Sequence, residues 1–324
     1  MLAMKKRTAG LDKIGIIFSG GIDSVLVAWL AKDMAKEVIC YNAGTPGSSD
    51  ILFADKVSKE LNLTLKVNVI TKRSTQEMLP KIIHAIEDRD AVQVEVALPI
   101  YSAMELAKKD NIKVVFSGQG VDEIFGGYQW YPKIVETEGY SSLRDHMIED
   151  LFLLYKETLE REDKTTMAHG IEMREPYLDK EVIRTAFDIN PRLNIIGPYD
   201  KLGKRVHRKL ANDLGIPYEI AYRNKAAAQH GSGIHFIIDE IARENNFDEN
   251  RVSTGYLCQL EKRELLGSSQ RYGFKYGNKE LWMTSPHIQL YLDKIFENVY
   301  GKSSSLIDSS DEEELLTNKI IKKI

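Results

Sequence analysis

Ile14-Gly15-Ile16-Ile17-Phe18-Ser19-Gly20-Gly21-Ile22-Asp23-Ser24, followed by an amphipathic run from Val25 to Ala35, decides how this chain folds. An apolar run, then paired glycines, then helical spacing reads as strand, tight loop and helix. Glycine allows a sharp turn and close approach to a ligand, and a helix start offers backbone N–H groups to an anion. Ser19 and Ser24 add hydroxyl donors, and Asp23 is placed to hold a cation beside bound phosphates. The loop has neither the lysine of GxxxxGK[ST] nor the spacing of GxGxxG.

The same device recurs. Ser117-Gly118-Gln119-Gly120-Val121-Asp122-Glu123-Ile124-Phe125-Gly126-Gly127-Tyr128 follows a second apolar run, 114–116. Two such loops at neighbouring strand ends of a parallel sheet face one crevice, where open α/β sheets bind ligands. Asp23 and Asp122 would then share Mg²⁺, which takes oxygen ligands and completes its shell from phosphates and water.

Outward from these loops, 14–18, 38–42, 65–70 and 113–116 read as strands, with helices near 24–36, 50–61, 74–88 and 100–109. This alternation predicts an α/β fold, a parallel sheet with helices on both faces. Beyond Tyr128 the strand signal fades, and 143–159, 181–187, 204–214, 234–244 and 258–266 carry helical spacing. The expected division is an ATP-binding core over 1–128, a mainly helical lobe over 129–300, and a Ser- and acid-rich linker with a short terminal helix over 301–324.

Composition narrows the function classes. A net charge of −4 over 324 residues leaves no basic footprint for nucleic acid. No run of eighteen apolar residues predicts a membrane span, and 1–7 lack the apolar stretch of a signal peptide. Two cysteines, Cys40 and Cys258, are too few for a disulfide framework or a zinc cluster. These features fit a cytoplasmic enzyme.

Four blocks carry a family resemblance. SGGIDS (19–24) resembles the pyrophosphate loop of ATP pyrophosphatases, and SGQGVDEIFGGY (117–128) resembles the second signature of asparagine synthetase C-terminal domains and β-lactam synthetases. MAHGIEMREPYLD (167–179) is similar to the third block of that family, and Arg223-Asn224-Lys225 with Gln229-His230-Gly231-Ser232-Gly233 to its fourth. The resemblance implies the adenine nucleotide alpha hydrolase-like fold. It also implies activation of a small-molecule carboxylate by ATP and Mg²⁺ as an acyl-adenylate, then displacement of AMP by an amine.

Carried over block by block, Ser19, Gly20, Gly21, Asp23, Ser24, Ser117, Gly118 and Gly120 hold the pyrophosphate end, with the metal on Asp23 and Asp122. Tyr41 and Asn42 serve the adenine and ribose. Lys204 faces the phosphates, and Lys225 steadies the adenylate and the later tetrahedral intermediate. His169 and His230 read as structural.

Two departures stand out. Asparagine synthetases carry Glu at the position of Gln119, and an amide cannot act as general base. β-Lactam synthetases have Tyr there, working with a Glu on the helix before the third block. Counting back from Pro176 without gaps, that Glu matches Glu160. Secondly, the segment 93–99 offers mostly apolar groups and one acid, Glu95, where asparagine synthetases hold aspartate, so aspartate is in doubt as acceptor.

The chain opens Met1-Leu2, and its first strand begins about a dozen residues in, so no glutaminase domain is expected. Nitrogen would come from free ammonia, a separate glutaminase subunit or another amine. A homo-oligomer is a further expected partner. The competing readings are an enzyme adenylating a nucleic-acid base or carrier, and a non-catalytic nucleotide-binding subunit.

Overall fold

The computed structural model describes residues 1–223, 228–263, 274–276, 279–281, 283 and 285–301. Five parallel strands, β1 Lys13–Ile17, β2 Glu37–Gly44, β3 Thr64–Val69, β4 Val114–Phe116 and β5 Glu172–Arg174, run in the order β3-β2-β1-β4-β5. The winding leaves β1 toward β2 and β3, then returns to place β4 on the other side of β1. That reversal opens a crevice at the carboxyl ends of β1 and β4. Register holds the two ends together, with Gly15 opposite Val115 and Ile16 opposite Phe116.

Alternation of side chains along each strand feeds two cores. Ile14, Ile16, Cys40, Val114 and Phe116 pack with the helices Ile22–Ala31 and Ser49–Glu60. Ile39, Tyr41, Ala43, Val115 and Met173 pack on the other face with Lys72–Ile86, Ala91–Lys109, Ile234–Glu244 and Pro286–Tyr300. Gly15 is required by this packing, since a Cβ there would lie 2.8 Å from Val115 Cγ1. A smaller cluster, Tyr131, Ile134, Leu143, Met147 and Ile195, anchors the helices Tyr131–Thr137 and Gly139–Leu154 beside the second glycine loop.

The structure departs from the sequence reading in definite places. The helix expected from residue 100 starts at Ala91, because the Asp90 side chain accepts from the N–H groups of Val92 and Gln93. Pro99 lies inside it. β5 is only three residues long, too short for a periodic signal, and a second strand pair, Phe274–Tyr276 with Lys279–Leu281, was not anticipated. Nor were the helices Leu2–Thr8 and Pro286–Tyr300. The helix expected over 143–159 ends at Leu154 and passes through a π-helical turn, Tyr155–Leu159, into the helix Glu160–Met167. The expected helix over 258–266 is Thr254–Lys262 in the structure. The expected terminal helix over 315–324 lies outside the described residues.

Candidate active site

The first glycine loop turns directly into Ile22–Ala31, whose N-terminus no side chain caps. Gly20 has φ +70°, and a Cβ there would press on the Ala54 backbone at 3.1 Å. Ser19 Oγ accepts from Gly21 N–H at 3.2 Å, and Ser24 Oγ donates to the Gly21 carbonyl at 3.1 Å. The hydroxyls thus shape the loop from within. The second loop packs against the first without room for a side chain. A Cβ on Gly118 would stand 2.9 Å from Asp23 C and Ser24 N, both backbone atoms. Gly120, at φ +92°, lies under Leu178.

Asp23 and Asp122 meet on one cation. Lys204 Nζ lies 2.7 Å from Asp23 Oδ2 and 2.7 Å from Asp122 Oδ1, so the two carboxylates converge from separate loops. The lysine is brought there by a constrained backbone: Lys204 has φ +51°, and Gly203 before it has φ +61°. Asp200 holds that turn by accepting from Leu202 and Gly203 N–H at 3.0 and 3.3 Å. Burial alone would raise the Asp200 carboxyl, but Arg205 and backbone N–H groups bring it down to about 2. Gly127 makes room, as a Cβ there would collide with Lys204 Cε and Asp122 Oδ1. His207, buried with Nε2 2.9 Å from Tyr177 Oη, supports Asp23 from behind; burial pushes it down to about 4, so it is neutral. Tyr177 Oη donates to the Asp23 carbonyl at 3.1 Å.

A pocket opens from this point, enclosing about 970 Å³ with its mouth included. Ser19, Gly21, Asp23, Ser24, Ser117, Gly118 and Gln119, from the two glycine loops, line one part of it. Ile17, Phe18, Tyr41, Ala43, Ile100 and Ala103 form an apolar slot. The Tyr41 hydroxyl points away, donating to Asp110 at 2.7 Å, so only its ring serves the slot. Asn42 donates to the Phe18 carbonyl at 2.7 Å, and its buried Oδ1 has no hydrogen-bond partner. An amide oxygen buried in a ligand-sized slot is an acceptor suited to a base amino group.

At the far end, Gln119 Nε2 donates to Glu162 Oε1 at 2.5 Å. Glu162 is 1% exposed and lines the pocket; sequence reasoning missed it. Glu160 falls elsewhere, pairing with Lys164 at 2.9 Å with half its side chain in solvent. Two residues on a helix amount to roughly 200° of rotation, so the gap-free count from Pro176 aimed at solvent. Helical spacing would have found the buried position, since Glu162 stands four before Thr166, which is also fully buried. Val96 and Pro99 wall this end, while Glu95 pairs with His235 Nδ1 at 2.9 Å. Arg223 lines the mouth with its guanidinium 3.4 Å over the Phe53 ring. Lys225 lies outside the described residues.

The asparagine synthase family model matches residues 2–138 and 135–293. The chain belongs to the asparagine synthase family. It is 38% identical over 291 residues to a Methanocaldococcus jannaschii protein provisionally named asparagine synthetase (glutamine-hydrolyzing) 1, covering 80% of this chain and 52% of that one. It is 27% identical over 307 residues to asparagine synthetase B (glutamine-hydrolyzing) of Escherichia coli K12, covering 90% and 51%. With asparagine synthetase (glutamine-hydrolyzing) 1 of Arabidopsis thaliana it shares 28% over 271 residues, covering 79% and 46%. The chain thus spans about half the length of these relatives. Among the described residues, no helix is long and apolar enough to cross a membrane.

Proposed function

We propose that this chain is an AMP-forming amide ligase that activates a small carboxylate with ATP and then aminates it. The observation that carries this reading is the meeting of Asp23 and Asp122 on one ammonium, with Asp23 lining a pocket that Gln119 and Glu162 also line. Among the described residues no group of three or more His, Cys, Asp or Glu gathers for a metal. Two convergent carboxylates nevertheless fit Mg²⁺, which is commonly held by one or two protein carboxylates plus phosphate oxygens. The lysine ammonium between them is a stand-in cation that supports the same fit. Bound there, Mg²⁺ would neutralise charge on the departing pyrophosphate.

In the first half-reaction the acid's oxygen attacks the α-phosphorus of ATP, and the bond to pyrophosphate breaks. The loop around Ser19–Ser24 and Lys204 meet the negative charge that leaves. Tyr41, Ala43 and Asn42 receive the adenine. In the second, the amine nitrogen bonds to the acyl carbon and gives a proton to Glu162. The acyl–oxygen bond then breaks, with its electron pair leaving on AMP. Gln119 orients Glu162 and the incoming amine, so an amide at this position is compatible with catalysis when the base stands across the pocket. Lys225 is proposed to steady the adenylate, and ammonia to come from solution or from a glutaminase subunit.

The test is ATP–pyrophosphate exchange across a panel of carboxylates, aspartate first, followed by amide formation with ammonium chloride. Exchange with at least one acid is expected; none with any acid refutes the reading. Glu162→Gln should retain exchange and lose amide formation, by roughly 10²- to 10⁴-fold, as for other general bases.

A further inference from the structure

Behind Glu162 the helix Glu160–Met167 presents a second buried residue that the reaction above does not use. Arg161 is 8% exposed, and its side chain is fixed at three points. Nη1 donates to Gln93 Oε1 at 2.7 Å and to the Glu157 carbonyl at 2.7 Å, while Nη2 stands 3.4 Å from Glu162 Oε1. Glu162 Oε1 is the oxygen that also accepts from Gln119. The Glu157 carbonyl belongs to the π-helical turn Tyr155–Leu159, where the i→i+5 pattern alters which carbonyls the helix itself uses. Gln93 in turn donates to the Glu157 carbonyl at 3.2 Å, which closes a ring of contacts around the guanidinium.

We infer that Arg161 is a positioning residue for amide formation: it keeps Glu162 ionised and turned toward Gln119, and the π-helical turn with Gln93 fixes it there. The inference rests on the ligase reading above. An ammonium-derived nucleophile must shed a proton before or as its nitrogen bonds to the acyl carbon, so a carboxylic acid already protonated is useless as acceptor. A cation within about 4 Å favours the charged carboxylate.

Acids stand near Glu162 as well. Glu175, after β5, and Asp163, on the same helix, are both acids. Burial, then Glu162, then Asp163 raise the Glu175 carboxyl to about 7. On the neighbouring elements Glu87 pairs with Lys164, Glu95 with His235 and Glu172 with Arg174. Arg161 reaches Glu162, while Arg174 is held by Glu172 and by the Arg7 carbonyl.

The experiment compares pyrophosphate exchange with amide formation from ammonium chloride over a pH series, on the full chain, using the acid that gives strongest exchange. Arg161→Met is expected to keep exchange within about twofold. Its amide formation should fall about tenfold or more below neutral pH, with the acidic limb moved up by about one unit. Arg161→Lys should recover part of both effects. Gln93→Leu, which leaves every charge in place, should move the limb the same way by less, so the idea survives testing even if Arg161→Met folds poorly. Glu175→Gln should leave the limb present and lower it, since a neighbouring acid has gone.

Equal loss of both half-reactions in Arg161→Met, an unmoved limb, or a limb that vanishes in Glu175→Gln overturns the inference. Absence of exchange in the unaltered chain with every carboxylate overturns the ligase reading as well. Normal exchange with an unmoved limb overturns this inference alone.

Discussion

Lys204 offers the sharpest test of the site, because its ammonium stands 2.7 Å from both Asp23 and Asp122. Lys204→Met keeps the length of the side chain and deletes the charge. Its side chain is 3% exposed, that of Asp23 9% and that of Asp122 19%. Removing one member of a buried ion pair costs about 3–5 kcal/mol, because the other is left uncompensated in a poorly solvated place. Partial solvation of Asp122 sets the expectation at the lower end, about 3 kcal/mol, or roughly 4 °C in melting temperature for a chain of this length.

The same substitution should sharpen the response to metal. A divalent cation bound to the folded state alone stabilises by RT ln(1 + [L]/Kd), about 2.7 kcal/mol at a hundredfold excess over Kd. In the unaltered chain Mg²⁺ must compete with Lys204; in Lys204→Met it replaces a missing charge. Thermal unfolding without nucleotide, in EDTA and then in MgCl₂, should therefore show a larger gain in the variant. Adding Asp23→Asn to Lys204→Met should recover part of the stability, since it leaves one carboxylate, Asp122, at the emptied position instead of two. A variant that melts with the parent in EDTA, or that gains no more from Mg²⁺ than the parent does, would refute the reasoning that these carboxylates form one cation site.

Gly118→Ala puts a methyl 2.9 Å from two backbone atoms of the first loop, so the loops must part; pyrophosphate exchange should be lost, with a fall in stability of about 1–3 kcal/mol by denaturant melt. Asp200→Asn tests the turn that presents Lys204. Because the folded carboxyl is held down to about 2, its contribution is full above the usual carboxylate range near 4 and is lost as pH falls toward 2. Acid unfolding of the variant should lack that increment, and full acid sensitivity in the variant would disprove it. Gln119→Glu sets a second carboxylate where an amide now donates to Glu162 at 2.5 Å; amide formation should fall and its acidic limb rise, as like charges resist joint ionisation. Pairing Gln119→Glu with Glu162→Gln returns a single carboxylate and should restore part of the rate.

The sheet was legible because burial on both faces writes apolar runs into the sequence, and each glycine loop announces a strand end. Three-residue β5 was not, since its pairing is set by β4 beside it rather than by any pattern in Glu172-Met173-Arg174. The convergence of Asp23, Asp122 and Lys204 came partly from repetition, which pairs the acids. The lysine's exact seat depends on Asp200, Gly203 and Gly127, whose roles are contacts across the chain and leave no local trace.

Glu162 marks the limit of such reading and also its remedy. In the run Glu160-Arg161-Glu162-Asp163-Lys164 every residue is charged, so composition alone calls the segment solvated. Burial instead divides it by helical phase: Arg161, Glu162, Thr165 and Thr166 turn inward, and Glu160 turns to Lys164 and water. Two adjacent buried charges of opposite sign survive only if each satisfies the other or a further partner. Arg161 does so through Gln93 and the Glu157 carbonyl, and Glu162 through Gln119. In that arrangement the helix brings the carboxylate and the glycine loop brings the amide of Gln119 that donates to it. The pocket is thus lined by the strand-end loops and by the helix Glu160–Met167, with Gln119 donating to Glu162 between them.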